Sequence, residues 1–192
     1  MASAAVARRG WTRIVVVALV VVAAGGCQWP RDADGTADRV RDGTIRVGVA
    51  NNPPWTVVDG GGAGREPGGV EVELVRRLAD SLGARVQWVP GGEAELMAAL
   101  SERGLDLVVA GLDAESPWEQ DVALTTDYLT TDEAVAVPAG EPVDTGTHLA
   151  GLDHVMAVPP GENAWQSTVE RFLLELDEDE VRRLLDTHRA GT

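Results

Sequence analysis

The amino-acid sequence predicts an α/β fold: one mostly parallel, twisted sheet of about five strands with flanking helices. Three observations predict it. Short runs rich in valine and isoleucine alternate with stretches of helical apolar period. Glycine and proline clusters punctuate them. One run, residues 106–110 (DLVVA), is continuously apolar between glycines, as a strand covered on both faces should be. Strands that alternate with helices favour parallel pairing, with the helices packed over the sheet.

The elements follow in order. Ile45, Val47 and Val49 alternate with Arg46 and Gly48 as a strand, ended by Asn51, Asn52, Pro53 and Pro54. A glycine-rich turn over 60–69 leads to a helix. Its inner face carries Val70, Leu74, Val75, Leu78 and Leu82, and Gly83 stops it. Residues 85–89 (RVQWV) form the next strand, and 93–103 a helix with Leu96, Met97 and Leu100 inward. The buried strand at 106–110 comes after that. Two more strands are expected at 133–137 and 154–158. A helix with Val169, Phe172, Leu173 and Leu176 on one face comes next, then a short last helix over 179–189.

The chain has 192 residues, 44% of them hydrophobic, enough for one packed core and little more. It carries 31 acidic against 16 basic side chains, and every basic one is arginine. A net charge of −15 repels phosphate backbones, so nucleic acid is excluded as a partner.

Arg8, Arg9 and Arg13 precede an apolar run over 14–24 that is too short to span a bilayer comfortably, the pattern of a secretion signal. The small residues Ala24, Gly25 and Gly26 then precede Cys27, the sole cysteine. This arrangement resembles the lipobox of bacterial lipoproteins. The resemblance implies a signal peptide over 1–26, acyl chains on Cys27, and a lipid-anchored protein on the outer face of the cytoplasmic membrane. Residues 27–43 then read as an acidic flexible tether, and 44–192 as the folded lobe.

The sequence holds no G-x-S-x-G elbow, no H-E-x-x-H, no C-x-x-C and no Walker loop. The glycines over 60–69 do not follow G-x-G-x-x-G, and His148, His154 and His188 are scattered. The expectation is a protein with no catalytic residue, no cofactor and no metal site, and not an enzyme. Binding is the alternative, and ligands of open α/β sheets sit outside the carboxyl ends of the strands. Those ends carry Asn51 and Trp55 after the first strand, Gly111, Asp113 and Trp118 after the third, and Glu71 at the first helix. Trp55 and Trp118 could stack a flat solute or could cap the core.

Four blocks carry a wider resemblance. They are TIRVGVANNPPWTVVD (44–59), GGVEVELVRRLADSLGARVQWVP (68–90), LMAALSERGLDLVVAGL (96–112) and ALTTDYLTTDEAVAV (123–137). Their order and spacing resemble the first lobe of bacterial extracellular solute-binding proteins of family 3, the polar-amino-acid type that serves ABC importers. Tyr128, in the block similar to F-S-x-P-Y, joins the candidate ligand residues on that resemblance. In the family the chain next crosses to a second lobe and later returns. Here AVPAGEP (136–142) and AVPPGEN (157–163) are near-copies with only a short polar spacer between them. The second lobe therefore looks replaced by a short connection over 140–153.

The resemblance also places a carboxylate-binding arginine where this chain has Trp118. The surrounding Asp113, Glu115, Glu119 and Asp121 would repel a carboxylate. An amine, a cation, a neutral solute or a protein surface fits better than a standard amino acid. The reading that follows is a lipid-anchored, extracytoplasmic solute-binding-like protein whose partners are a small solute and a transporter permease. The alternative is a ligand-free docking or sensor module. A homodimer could rebuild a cleft from two single lobes.

Overall fold

The strands expected over 45–49, 85–89, 106–110 and 154–158 are present, and two further short ones at 123–124 and 129–132 were not expected. The alternation of the central strands divides the interior into two cores. The structure is a computed structural model that describes residues 31–58, 66–132 and 151–190. The expected signal segment, Cys27, most of the glycine-rich turn, the strand expected over 133–137 and residues 140–150 of the connection lie outside the described residues. The sheet runs β2 (Arg85–Pro90), β1 (Thr44–Val49), β3 (Leu107–Asp113), β6 (Gly151–Val158), β4 (Ala123–Leu124), and β5 (Leu129–Asp132) also pairs with β6. β1 is parallel to both β2 and β3, whereas β6 is antiparallel to β3, β4 and β5. The core of the sheet is thus parallel, with an antiparallel extension on one side.

Successive strand residues point to opposite faces. Val47, Val49, Leu107 and Val109 join one core with helix α2 (Val70–Ser81), α4 (Asn163–Leu174) and α5 (Glu178–Arg189). Ala50, Val108, Ala110 and Leu112 join the other, under helix α3 (Glu93–Ser101) through Leu96, Met97 and Leu100. β1 feeds β2 on one side and lies against β3 on the other, so the crossover helices leave to opposite faces. The carboxyl ends of β1 and β3 therefore border a crevice at a switch point, where such sheets bind ligands.

The expectation of a flexible tether over 27–43 is corrected from residue 32 onward. Thr36–Val40 form a short helix, α1, with Thr36 and Val40 buried. Its acidic neighbours act as acceptors for backbone amides rather than as solvated charges. Asp32 accepts from Ala37 N at 2.7 Å and from Trp165 N at 2.9 Å, tying α1 to the start of α4. Glu162, almost fully buried, accepts from Asp34 N at 2.8 Å and Thr36 N at 3.0 Å. Burial pushes the Glu162 carboxyl up, but the hydrogen bonds from Thr36 and Asp34 outweigh it and hold its pKa below the ordinary value.

Asp106 anchors the start of β3. Its carboxylate accepts from Arg39 Nη2 and Arg46 Nη2, each at 2.6 Å, and from Arg46 N at 2.8 Å. Its carbonyl accepts from the indole Nε1 of Trp165 at 2.6 Å, and Trp165 is fully buried. One residue thereby joins α1, β1, β3 and α4. The expected connection also shortens: residues 151–153 belong to β6, whose Gly151 pairs with Asp132 at the end of β5. Asp132 and Gly151 are thus direct partners in the sheet.

Candidate functional site

The crevice is built from two loops and a helix start. After β1, the chain folds back on itself. Asn52 N donates to Thr56 O at 2.9 Å and Thr56 N to Asn52 O at 3.0 Å. Asn51 Oδ1 accepts from Val58 N at 2.8 Å, and Asn52 Nδ2 donates to Ala110 O at 2.8 Å. Both asparagines are exposed; the Asn51 side chain braces its own loop, and the Asn52 amide ties that loop to β3 at the surface. Pro54 O and Trp55 O accept from Val70 N and Glu71 N, which satisfies the first amides of α2.

Beneath the loops lies a buried polar network. Glu71 is fully buried, and its two carboxylate oxygens accept from Tyr128 Oη at 2.9 Å and from Gly111 N at 2.8 Å. Burial pushes the Glu71 carboxyl up to about 7, against the pull of its Gly111 and Tyr128 hydrogen bonds. Burial and the neighbouring Glu71 charge push the Tyr128 phenol well above its ordinary range. Trp55 stacks on the His154 ring, with centroids 3.8 Å apart and planes tilted by 36°, and meets Tyr128 edge-on at 6.2 Å.

His154 is the residue that sequence reasoning missed. It sits in β6 with only 3% of its surface exposed, and its Nε2 lies 2.8 Å from Thr131 Oγ1. Nδ1 has no well-formed hydrogen bond. Burial lowers the pKa of the ring, and Asp113 and Asp153 offset part of that effect. The signal was present in the apolar run VMAV that follows it, which marks a covered strand.

Trp55, Glu71 and Tyr128 are 7%, 0% and 6% exposed, and they lie beneath the loops as the floor of the crevice. The polar atoms of Glu71 and Tyr128 turn inward and meet each other, and Glu71 also meets the Gly111 amide. Trp55 packs in one core and Trp118 against the other. Trp118 is half-buried, and its Nε1 donates to Glu93 Oε1 at 2.6 Å. Asn51, Gly111 and Asp113 remain at least partly exposed at the crevice, and Asp113 Oδ1 accepts from Glu115 N at 2.9 Å.

Gly111 is obligatory on geometric grounds. Its φ is +63°, and a Cβ there would lie 2.6 Å from Asn52 Nδ2 and 2.7 Å from Trp55 Cδ1. Gly111→Ala is therefore expected to cost about 2 kcal/mol through strain and overpacking. Urea unfolding measures the cost, and tryptophan emission reports the displaced Trp55.

Beside the β3 loop lies an open depression of about 410 Å³, lined by Ala114, Glu119, Val122, Leu124, Thr125 and Val155 among others. Another, of about 450 Å³, lies by the edge strand β2 at Arg76, Arg85 and Trp88, and none of Asn51, Trp55, Glu71, Gly111, Asp113 and Tyr128 lines either of them.

Comparison with known proteins decides the family. The sequence profile of the bacterial extracellular solute-binding proteins, family 3, matches residues 45–189. The chain belongs to this family. Among solved structures, this family-3 lobe is similar to the arginine-bound form of domain 1 from TmArgBP. That likeness has a TM-score of 0.55 and 22% identity, over 72% of this chain and 98% of the other. It is also similar to the substrate-binding protein of an amino acid ABC transporter, with a TM-score of 0.59 and 15% identity, over 75% and 98% of the two chains. These two likenesses speak for the fold.

A curated relative is the membrane-bound lytic murein transglycosylase F of Photobacterium profundum. It is 35% identical over 101 residues, which are 52% of this chain and 19% of the relative. The family-3 lobe thus spans about a fifth of the length of the curated relatives it matches. The expectation that the protein is not an enzyme is contradicted by these relatives, which carry an enzyme's name over the matched lobe. Motif searches within this chain had no means of detecting a lobe shared with a larger protein.

Proposed function

We propose that the chain is an extracytoplasmic solute-binding lobe that captures a cationic solute at the crevice between the β1 and β3 loops. The observation that carries this reading is the sign of the crevice. Its exposed rim offers Asn51, Asn52, Asp113 and Glu115, and the crevice residues include no arginine among the described residues. Acceptor atoms and carboxylates favour an ammonium or guanidinium group and disfavour a ligand of net negative charge. The depression lined by Val122, Leu124 and Glu119 gives an aliphatic stem with a cationic end a surface to lie on. The arginine-bound single domain supports the idea that one lobe suffices for capture.

In this reading Cys27 carries the lipid, and the captured solute passes to a transporter permease. A docking or sensor module is the second reading, favoured by the match to one part of a much longer transglycosylase. A thermal-shift screen of the purified chain separates the two, with arginine, ornithine, spermidine, citrulline and glutamate as probes. A ligand that binds only the folded state adds about 2.7 kcal/mol at a hundredfold excess over its dissociation constant. The expected result is a saturable shift with the cations and none with glutamate. A well-folded chain that responds to no member of the panel would overturn solute capture in favour of the docking module.

A further inference from the structure

Glu71 stands apart from the other buried carboxylates. Asp106 has two arginines on it, and Glu162 has backbone amides with Arg103 nearby. Glu71 has the Gly111 amide and the Tyr128 hydroxyl, and among the described residues no ion pair reaches it. It is not capping its own helix either, since the α2 amides at Val70 and Glu71 go to the Pro54 and Trp55 carbonyls. The carboxylate instead reaches across to β3, where Gly111 turns the chain through a positive φ two residues before Asp113.

We propose that Glu71 is the positioning residue of the crevice: its ionised carboxylate, held between Gly111 N–H and Tyr128 O–H, sets how the β3 loop presents Asp113. The assignment of a solute to that loop rests on the function proposed above, whereas the hold on Gly111 does not. The groups around Glu71 are few. Tyr128, just before β5, faces it, and His154 of β6 lies beyond, its ring 6.2 Å from that of Tyr128 and stacked on Trp55. A purely structural role would be filled equally well by glutamine, whose amide oxygen can accept from Gly111 while its nitrogen donates to the phenol. A carboxylate adds a charge under the crevice, and that charge changes with pH near neutrality.

The sign follows from the raised value. The folded state holds the Glu71 proton more tightly than the unfolded chain does. Its contribution to stability is therefore fully present below the unfolded carboxyl value and is lost as pH rises through about 7. Attraction for a cation runs the other way and grows over the same interval. Arginine affinity is expected to rise severalfold between pH 6 and pH 8.5, and to lose that dependence in Glu71→Gln.

The test is amide NMR of the ligand-free chain over that pH range, followed by arginine titration at each end. The expected result is a Gly111 amide that titrates near neutrality and moves downfield as pH rises. Glu71→Gln should abolish the titration. Tyr128→Phe should shift its midpoint upward, because one donor to the ionised form is gone. A Gly111 amide indifferent to pH, or a titration that persists in Glu71→Gln, would overturn the assignment. If the amide titrates as described and arginine binds at neither pH, the positioning role stands and the cationic-solute reading is the one that fails.

Discussion

Asp106→Asn is expected to destabilise the protein by about 3 kcal/mol, at the lower end of the cost of breaking a buried ion pair. The low end applies because the two arginines left behind are not themselves buried. Arg39 and Arg46 keep 43% and 33% of their side-chain surface exposed and can turn toward water, whereas the carboxylate is 1% exposed. Asparagine can still accept from the Arg46 amide. Alanine cannot, and Asp106→Ala should cost about 1 kcal/mol more for the orphaned N–H.

The pH dependence of this effect has a definite sign. Burial pushes the Asp106 carboxyl up, but the hydrogen bonds from Arg46 and Arg39 outweigh it, so its folded value lies below the ordinary one. Its stabilisation is complete above the unfolded value of about 3.9 and is lost as pH falls through the lowered folded value. Urea unfolding at pH 7 and again near pH 3 tests this. The gap between wild type and Asp106→Asn should be full at the first and narrowed at the second.

Trp165→Ala is the second large effect, expected at about 4 kcal/mol or more. The indole is wholly buried, packs in the core shared by α2, α4 and α5, and satisfies the Asp106 carbonyl through Nε1. Trp165→Phe separates these contributions. The ring volume is largely kept, and the residual loss of about 1–3 kcal/mol reports the unpaired carbonyl. Because both side chains act at one residue, the cycle of Asp106→Asn with Trp165→Phe should depart from additivity. Additive losses would mean that the two contacts are independent supports.

The parts of this architecture that were legible in the sequence are those governed by period. Val47, Val49, Val109 and Leu107 alternate with Gly48, Val108 and Ala110. The structure divides them between two cores as that alternation requires. Val70, Leu74, Val75 and Leu78 recur at helical spacing and are buried together. What composition obscured is the work of short acidic side chains. Asp32 and Glu162 look like solvated charge, yet they bind α1 to the domain through backbone amides, which no charge count distinguishes from a tether. The crevice was found by topology, because the order β2, β1, β3 places a switch point at Asn51 and Gly111. The depth of its residues was not legible. Trp55, Glu71 and Tyr128 sit on loops or at element ends, and only the inward hydrogen bonds of Glu71 show that they form the floor.

The claim at the centre of this account is that one lobe captures a cation at an acidic crevice. Isothermal titration of the purified chain with arginine, at low and at moderate salt, addresses it most directly when repeated with Asp113→Asn. Asp113 lies at the exposed end of β3 and outside both cores, so its substitution should leave the fold intact. Saturable binding that weakens with salt, and weakens again in Asp113→Asn, is the expected result. A folded chain that releases no heat with arginine would contradict it, as would binding indifferent to both salt and Asp113.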